Sequence, residues 1–284
     1  MKDSLTERWT RALLLDGETD IVHSGVRELA EYFNISESAA RQACESALSD
    51  SKQEWEAVPR QSNEQIIDFY DRTRSYLFEH IWWHATDFES NTINVELLDY
   101  AIHHKAHTYL DFGSGVGSNG ILAARLGFEV TLADVSRTML DFARWRLEKR
   151  GIRAHYVYLR EQQLPAEKFD VVTAMDVFEH LTDPLSTLKQ ISAALKPGGI
   201  LLFNARPGDD PERPMHILPN MYRVWRGLRG CGLRHEIGPE ADHIRDIGCQ
   251  IARRTVLSNA VNFGWQMYDY FRYSNPVARI RGRL

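Results

Sequence analysis

The run Tyr109-Leu110-Asp111-Phe112-Gly113-Ser114-Gly115-Val116-Gly117-Ser118-Asn119-Gly120 constrains this chain more than any other stretch. An apolar segment closes on an aspartate, then passes through spaced glycines into the start of a helix. Glycine lets a backbone turn tightly and approach a ligand closely. The first turn of a helix carries N–H groups without partners inside the helix. Together they predict a small-cofactor site at the carboxyl edge of a sheet in an α/β protein. A tight loop in any α/β protein can contain such a string, so the flanking pattern has to strengthen the argument.

From Thr108 onward that pattern alternates. Tyr109-Leu110-Asp111 ends a first strand, and Gly120 to Leu126 supplies the helix after it. Gly127-Phe128 leads into a second strand, Glu129 to Asp134. Ser136 to Lys149 reads as a helix, ended by Gly151. Ala154 to Tyr158 is a third strand, and Phe169 to Ala174, apolar enough to be buried on both faces, is a fourth. Pro184 to Leu195 gives the next helix, Lys196-Pro197-Gly198-Gly199 a turn, and Gly199 to Asn204 a fifth strand. Repeated units of this kind fold as a parallel sheet with right-handed crossovers. Further on, Met221 to Leu228 reads as a helix, and Leu233 to Ile237 and Ile251 to Leu257 as late antiparallel strands. The basic run Arg279-Ile280-Arg281-Gly282-Arg283 reads as a solvated end.

The first hundred residues read as helical. Val26 to Phe33 is amphipathic, Asn34-Ile35-Ser36 is a turn, and Ser36 caps a second helix running through Ala43. This helix-turn-helix spacing raises a DNA-reading module over residues 26–47. A reading helix needs more positive charge than Glu37, Arg41 and Glu45 provide, so a helical pair packed on the main domain is preferred. Ser49-Asp50-Ser51-Lys52 and Val58 to Asn63 read as connections. Glu64 to Ala85 carries an apolar period through Ile67, Tyr70, Tyr76, Leu77, Ile81, Trp82 and Trp83. It suits core packing and, just ahead of the glycine loop, a lid or pocket wall. The expected division is a helical cap and substrate region over residues 1–100 and an α/β domain over 101–284.

At 284 residues and 43% hydrophobic, the chain can bury a full core. A formal net charge of -5 argues against broad attraction to nucleic acid or an anionic membrane. The first residues hold no apolar signal core, and no apolar run is long enough to cross a bilayer, so a cytoplasmic location is expected. Cys44, Cys231 and Cys249 form no Cys-x-x-Cys pair and read as free buried thiols. His103 and His107 have helix-compatible spacing but run directly into the first strand, with no cysteine cluster nearby. No metal is expected.

Asp134 closes the second strand, where a carboxylate can accept two hydroxyl hydrogens from a ribose. That placement also suits a nicotinamide enzyme. The acid at Asp111, immediately after the first strand, separates the two. A carboxylate repels a pyrophosphate and attracts a cationic amino-acid cofactor. S-adenosylmethionine has a cationic sulfur, an ammonium group and a ribose, and no pyrophosphate.

At this point the residues resemble the class I S-adenosylmethionine-dependent methyltransferases of small-molecule type. Leu110 to Gly117 matches their first motif and Asp134 the acidic end of their second strand. Phe169-Asp170-Val171-Val172 followed by Asp176-Val177-Phe178-Glu179-His180-Leu181 resembles their fourth-strand region. Leu195-Lys196-Pro197-Gly198-Gly199 resembles the turn before their fifth strand. The resemblance covers roughly residues 107–205 and implies a Rossmann-like class I methyltransferase sheet, here behind an N-terminal helical cap. It implies that Asp111, Gly113, Ser114, Gly115 and Gly117 surround the methionine portion and that Asp134 binds both ribose hydroxyls. Val135 and Met139 would pack around adenine, and Met175 and Asp176 would line the methyl-donor side. A helix or turn cap is the competing role for Asp176. Many relatives read the adenine amino group with an aspartate that opens an acidic segment ending in Leu-Pro. Here that position is Arg160, so either Glu161 or Gln162 takes the role.

Methyl transfer needs an in-line nucleophile in a pocket shielded from water, and the sulfonium already carries the electrophilic chemistry. An amine attacks without a strong base, an alcohol benefits from deprotonation, and a carboxylate needs positioning. His180 after strand four and His216 after strand five are the catalytic candidates, each as base or substrate donor. A satisfied structural histidine is the competing reading for both. Tyr70, Tyr76 and Trp83 are candidate substrate walls, Glu179 an orienting or bracing carboxylate, and Arg206 and Arg213 recognisers of an acidic group. The expected function is methyl transfer from S-adenosylmethionine to an O or N atom of a small specialised metabolite. Protein or peptide methylation and a nonenzymatic DNA-binding ligand sensor are the alternatives. The expected partner is a small-molecule acceptor rather than nucleic acid or membrane, and oligomerisation stays open.

Overall fold

The computed structural model describes residues 3–208 and 210–255. Ahead of the first strand stand α1 (Leu5–Leu13), α2 (Ile21–Phe33), α3 (Glu37–Ala57), α4 (Asn63–Arg72), α5 (Ser75–Thr86), α6 (Phe88–Asn91) and α7 (Ile93–His103). Side chains fix most of the long starts by accepting from orphan N–H groups: Ser4, Asp20, Ser36 and Ser62 all do so. Ser4 with Glu7 and Ser62 with Gln65 complete reciprocal capping boxes. Asn34 ends α2 in the left-handed region at φ 53, a conformation its short polar side chain tolerates.

Two expectations for this region change. The polar stretch Ser49-Asp50-Ser51-Lys52 is not a connection, because α3 runs straight through it. Ser51 is buried there, its hydroxyl 2.7 Å from Glu79 Oε2 and 3.0 Å from the Leu48 carbonyl, with one proton to share between them. Partners on its own helix and on α5 thus satisfy a residue that looked like a breaker. The stretch Glu64 to Ala85 divides between α4 and α5 at Thr73, whose hydroxyl donates to Glu54 at 2.5 Å.

The sheet follows as β1 (Thr108–Phe112), α8 (Ser118–Arg125), β2 (Glu129–Asp134), α9 (Arg137–Lys149), β3 (His155–Tyr158), β4 (Phe169–Ala174), α10 (Pro184–Ala194) and β5 (Leu195–Phe203). Then come α11 (Tyr222–Gly230), β6 (Leu233–His235), α12 (Pro239–Asp246) and β7 (Gln250–Arg254). The strand order is β3-β2-β1-β4-β5-β7-β6. Pairings from β3 through β5 are parallel, while β7 runs antiparallel to both β5 and β6. The expected turn at Lys196 to Gly199 lies inside β5, since Phe169 already pairs with Leu195 before the register shifts ahead of Val171. Proline and glycine there make an irregularity in a strand rather than a break. Helix α12 was not foreseen. The expected extension of the last strand to Leu257 and the basic run at 279–283 fall outside the described residues.

Alternation along the strands sends side chains to two cores. Tyr109, Val130, Leu132, Val171 and Leu202 pack with α7 and α8 on one face, and Trp9, Ala12, Leu13 and Ile21 from the chain start join the same cluster. Leu110, Ala133, Val172 and Leu201 pack with α10 and α11 on the other. A third cluster joins Leu29, Ala40, Cys44, Leu77 and Ile81 to Val116, Met139 and Phe142. The apolar faces of α2 and α3, the pair with helix-turn-helix spacing, are therefore spent on α5 and α9. Glu28 of α2 is fully buried and pairs with Arg146 Nε at 3.0 Å and with Arg150, both on the α9 side. Cys44, Cys231 and Cys249 are free thiols. Among the described residues, no helix is long and apolar enough to cross a membrane.

Candidate active site

A cavity of about 390 Å³ opens where the parallel strands end, between the β1–α8 loop and helices α4 and α5. The glycine loop forms its floor. Gly113, Gly115 and Gly117 hold φ of 71, 50 and 75, the region where a side chain strains the backbone. A Cβ on Gly113 would stand 2.5 Å from Val177, and one on Gly117 would stand 2.9 Å from Ala143. Gly113 N–H donates to the Ala133 carbonyl at 2.8 Å, and Gly115 N–H to Asp134 Oδ2 at 2.8 Å. The end of β2 thereby sets the shape of the loop after β1.

Asp134 also accepts from Ser136 N–H at 2.8 Å, and burial raises its pKa. Asp111 lies behind the loop, with Oδ1 accepting from Thr173 Oγ1 at 3.1 Å. Its Oδ2 is buried with no partner, as is Ser114 Oγ. Burial pushes the Asp111 carboxyl up to about 7. Asp111 itself does not line the cavity; Ser114 and Asp134 do, and an unpartnered hydroxyl beside a carboxylate suits a ligand that brings hydrogen-bond donors and positive charge, as S-adenosylmethionine does, better than a diphosphate.

The structure brings Met175, Asp176, Val135 and Met139 to the same cavity. Asp176 sits at φ 51 just beyond β4. Its N–H donates to Asn204 Oδ1 at 2.5 Å, its Oδ1 accepts from Asn204 Nδ2 at 3.0 Å, and burial raises its pKa. Gly117 faces Leu132 and Ala143 rather than the cavity. Glu161 and Gln162 are not brought to the wall. Glu161 pairs with Arg137 at 2.9 Å in solvent, and Gln162 Oε1 accepts from Tyr158 N–H at 3.0 Å. Arg160 reaches away to Asp68 at 2.6 Å, tying the end of β3 to α4.

His180 ends a 3₁₀ turn, Phe178–His180. Its Nδ1 lies 3.1 Å from the Met215 carbonyl and 3.0 Å from Tyr70 Oη, and its Nε2 lies 3.3 Å from Tyr76 Oη. A carbonyl only accepts, so Nδ1 carries the proton and Nε2 accepts from the Tyr76 hydroxyl. Burial drops the ring to about 3, keeping it neutral. His216 packs edge-on against it at 5.0 Å, lines the cavity, and makes no side-chain hydrogen bond among the described residues. Burial lowers its pKa as well. Tyr70, Tyr76 and Trp83 all line the cavity. Glu179 does not: wholly buried, it accepts Arg206 N–H on Oε1 at 3.1 Å, and its carbonyl accepts Ile217 and Leu218 N–H. It anchors the loop that carries His216. Glu179, His180 and His216 also bring three possible metal-ligand atoms within 4.8 Å, as do the exposed His103, His104 and Glu240.

Sequence reasoning named Tyr76 and Trp83 from α5 but passed over its Glu79, His80 and His84. His80 Nδ1 is buried without a partner, 3.4 Å from where a Gly115 Cβ would stand. His84 Nδ1 meets Ser118 Oγ at 2.9 Å, and Glu79 also lines the cavity. The signal was present as Tyr76, His80 and His84 at spacings of four, one stripe of a helix.

A family model described as a methyltransferase domain matches residues 110–201. A Ruegeria pomeroyi protein named "Ubiquinone biosynthesis O-methyltransferase" is 31% identical over 166 residues, covering 56% of this chain and 67% of that protein. This chain belongs to the class I S-adenosylmethionine-dependent methyltransferases. An identically named protein of Actinobacillus pleuropneumoniae is 34% identical to this methyltransferase over 151 residues, covering 47% of it and 64% of the relative. The methyltransferase thus spans somewhat under two thirds of the length of several curated relatives it matches. A solved Haemonchus contortus phosphoethanolamine N-methyltransferase 2, in complex with S-adenosyl-L-methionine, aligns with a TM-score of 0.50 at 24% identity. It covers 64% of this methyltransferase and 47% of that chain, a likeness that shows the shared fold.

Proposed function

We propose that this methyltransferase transfers a methyl group to a hydroxyl oxygen of a small molecule held against the aromatic wall of α4 and α5. The name shared by the curated relatives supports an oxygen acceptor. The observation that carries the reading is the adjacency of two halves in one cavity: an acid-lined glycine loop, and a tyrosine–histidine wall bearing an uncommitted His216. When bound, S-adenosylmethionine supplies an electrophilic methyl group on a leaving sulfur. Ser114, backed by Asp111, would hold its methionine end and Asp134 its ribose hydroxyls, while Val135 and Met139 would pack on adenine. His180 braces Tyr70 and Tyr76 through both ring nitrogens, which fixes the wall that orients the acceptor. With the methyl supplied from the sulfonium, the aromatic wall would orient the acceptor oxygen and His216 would take the hydroxyl proton.

His216→Ala tests this assignment against phenolic acceptors with isotopically labelled S-adenosylmethionine. Turnover is expected to fall about 100-fold, with cofactor affinity measured by calorimetry unchanged. Burial lowers the His216 pKa, so the acid limb of the wild-type rate profile should lie below the ordinary imidazole range. Equal turnover in the variant would return His216 to a structural role.

A further inference from the structure

Among the described residues, the cationic side chains lining the cavity are Arg206 and Arg213. They are not equivalent. Arg206 Nη2 donates to Ser90 Oγ at 3.1 Å, and its Nε lies 3.7 Å from Asp176 Oδ1. The Arg213 guanidinium makes no hydrogen bond or ion pair among the described residues, although it is half-buried. Nor is it carried on a loose segment. Arg213 N–H donates to Asp210 O and its carbonyl accepts His216 N–H at 2.9 Å, while Glu179 O takes the amides of Ile217 and Leu218. Met215 next to them is buried with Trp55, Ile66 and Phe69.

The charge of Arg213 bears on Glu79, His80, Asp176, His180 and His216, which places it over the cavity rather than toward bulk water. None of these groups neutralises it directly. Glu79 is engaged with Ser51, and burial pushes its carboxyl toward the protonated form. Asp176 faces Arg206 and Asn204. The three histidines are held neutral by burial. Asp210, whose carbonyl takes the Arg213 amide, forms no ion pair with it, and a partly desolvated cation with no ion-pair partner among the described residues favours a ligand oxyanion. The guanidinium fork matches a planar carboxylate or a phosphate with two parallel N–H donors.

We propose that the methyl acceptor carries an acidic oxyanion, a carboxylate or phosphate, and that Arg213 receives it while the acceptor's nucleophile faces the glycine loop. The inference rests on the methyl-transfer reading of this cavity. Arg206 is a neighbour that holds Asp176 and not the anion's main partner.

The test uses the full chain saturated with S-adenosylhomocysteine and two probes of one shape, 4-hydroxybenzoate and 4-hydroxybenzamide, titrated by calorimetry. The acid is expected to bind about tenfold or more tightly than the amide. Arg213→Gln should bring the acid down to the level of the amide, and Arg213→Lys should restore part of the difference as a point charge without the fork. S-adenosylhomocysteine affinity, unchanged in both variants, certifies that the cavity is folded. The proposal is overturned if the amide matches the acid, if neither probe binds, or if Arg213→Gln keeps the preference. Failure of the wild-type protein to bind S-adenosylhomocysteine overturns the methyl-transfer reading itself, and is read before either probe is added.

Discussion

The two carboxylates of the glycine loop make different claims that single substitutions separate. Asp134 is held by two backbone amides at 2.8 Å, so its position is fixed before any ligand arrives. Asp134→Asn keeps an acceptor for the loop and discards the charge. We expect S-adenosylhomocysteine affinity to fall about 10- to 100-fold by calorimetry, with an unchanged circular dichroism spectrum. Asp111 instead has a free oxygen and a carboxyl raised from 3.8 to about 7 by burial. The folded, ligand-free protein therefore holds a proton there up to about pH 7 that an unfolded chain releases near 3.8. Between those values the group makes the empty fold less stable as pH rises. A cationic ligand favours the carboxylate, so binding below about pH 7 should expel a proton, and affinity should rise with pH before levelling off. Calorimetry in buffers of different ionisation heat reads that proton directly. Its persistence in Asp111→Asn would assign the linkage elsewhere.

At the scale of elements, the ion pair between α2 and α9 ties the helical front of the molecule to the cofactor loop. Arg146 meets Glu28 and also donates to the Val116 carbonyl at 2.7 Å and Ser118 Oγ at 3.0 Å. Burial pulls Arg146 down to about 10, which still leaves it a cation near neutrality. Glu28→Gln strands two buried guanidinium groups, a loss of about 3–5 kcal/mol. The melting temperature should drop on the order of 10 °C, and an unchanged melt would show that the pair is not needed there. Nothing local in Val26 to Phe33 announces this, since Arg146 lies more than a hundred residues away. The alternation from β1 to β5 was legible because strand runs, glycines and caps act over a few residues. Helix α12 was not, because only Ala241 and Ile244 of its length are buried and no apolar stripe marks it. Glu161 and Gln162 illustrate the same limit within the site: Arg137 and the Tyr158 amide engage them first. His80 was hidden by its aromatic neighbours, for which core packing was explanation enough.

At the scale of the whole molecule, the helical front shares a core with the sheet. Trp9, Leu13 and Ile21 share one cluster with Leu122, Val130 and Leu132, across the boundary expected near residue 100. A fragment beginning at residue 104 loses that cover from one face of the sheet. We expect it to bind a hydrophobic dye and show poor amide dispersion by NMR, while the full chain does neither. A well-dispersed spectrum from the fragment would establish an independent sheet domain. The arrangement also puts the chain's assembly at odds with the order in which it is made. Synthesis at about 5–20 residues per second presents the greasy flank of α1 several seconds before α8 and β2 leave the ribosome to meet it. Through that interval α1 can rest only on its helical partners, with Trp9 Nε1 donating to the His84 carbonyl and Arg8 paired with Asp99, while its share of the sheet core waits for residues made later.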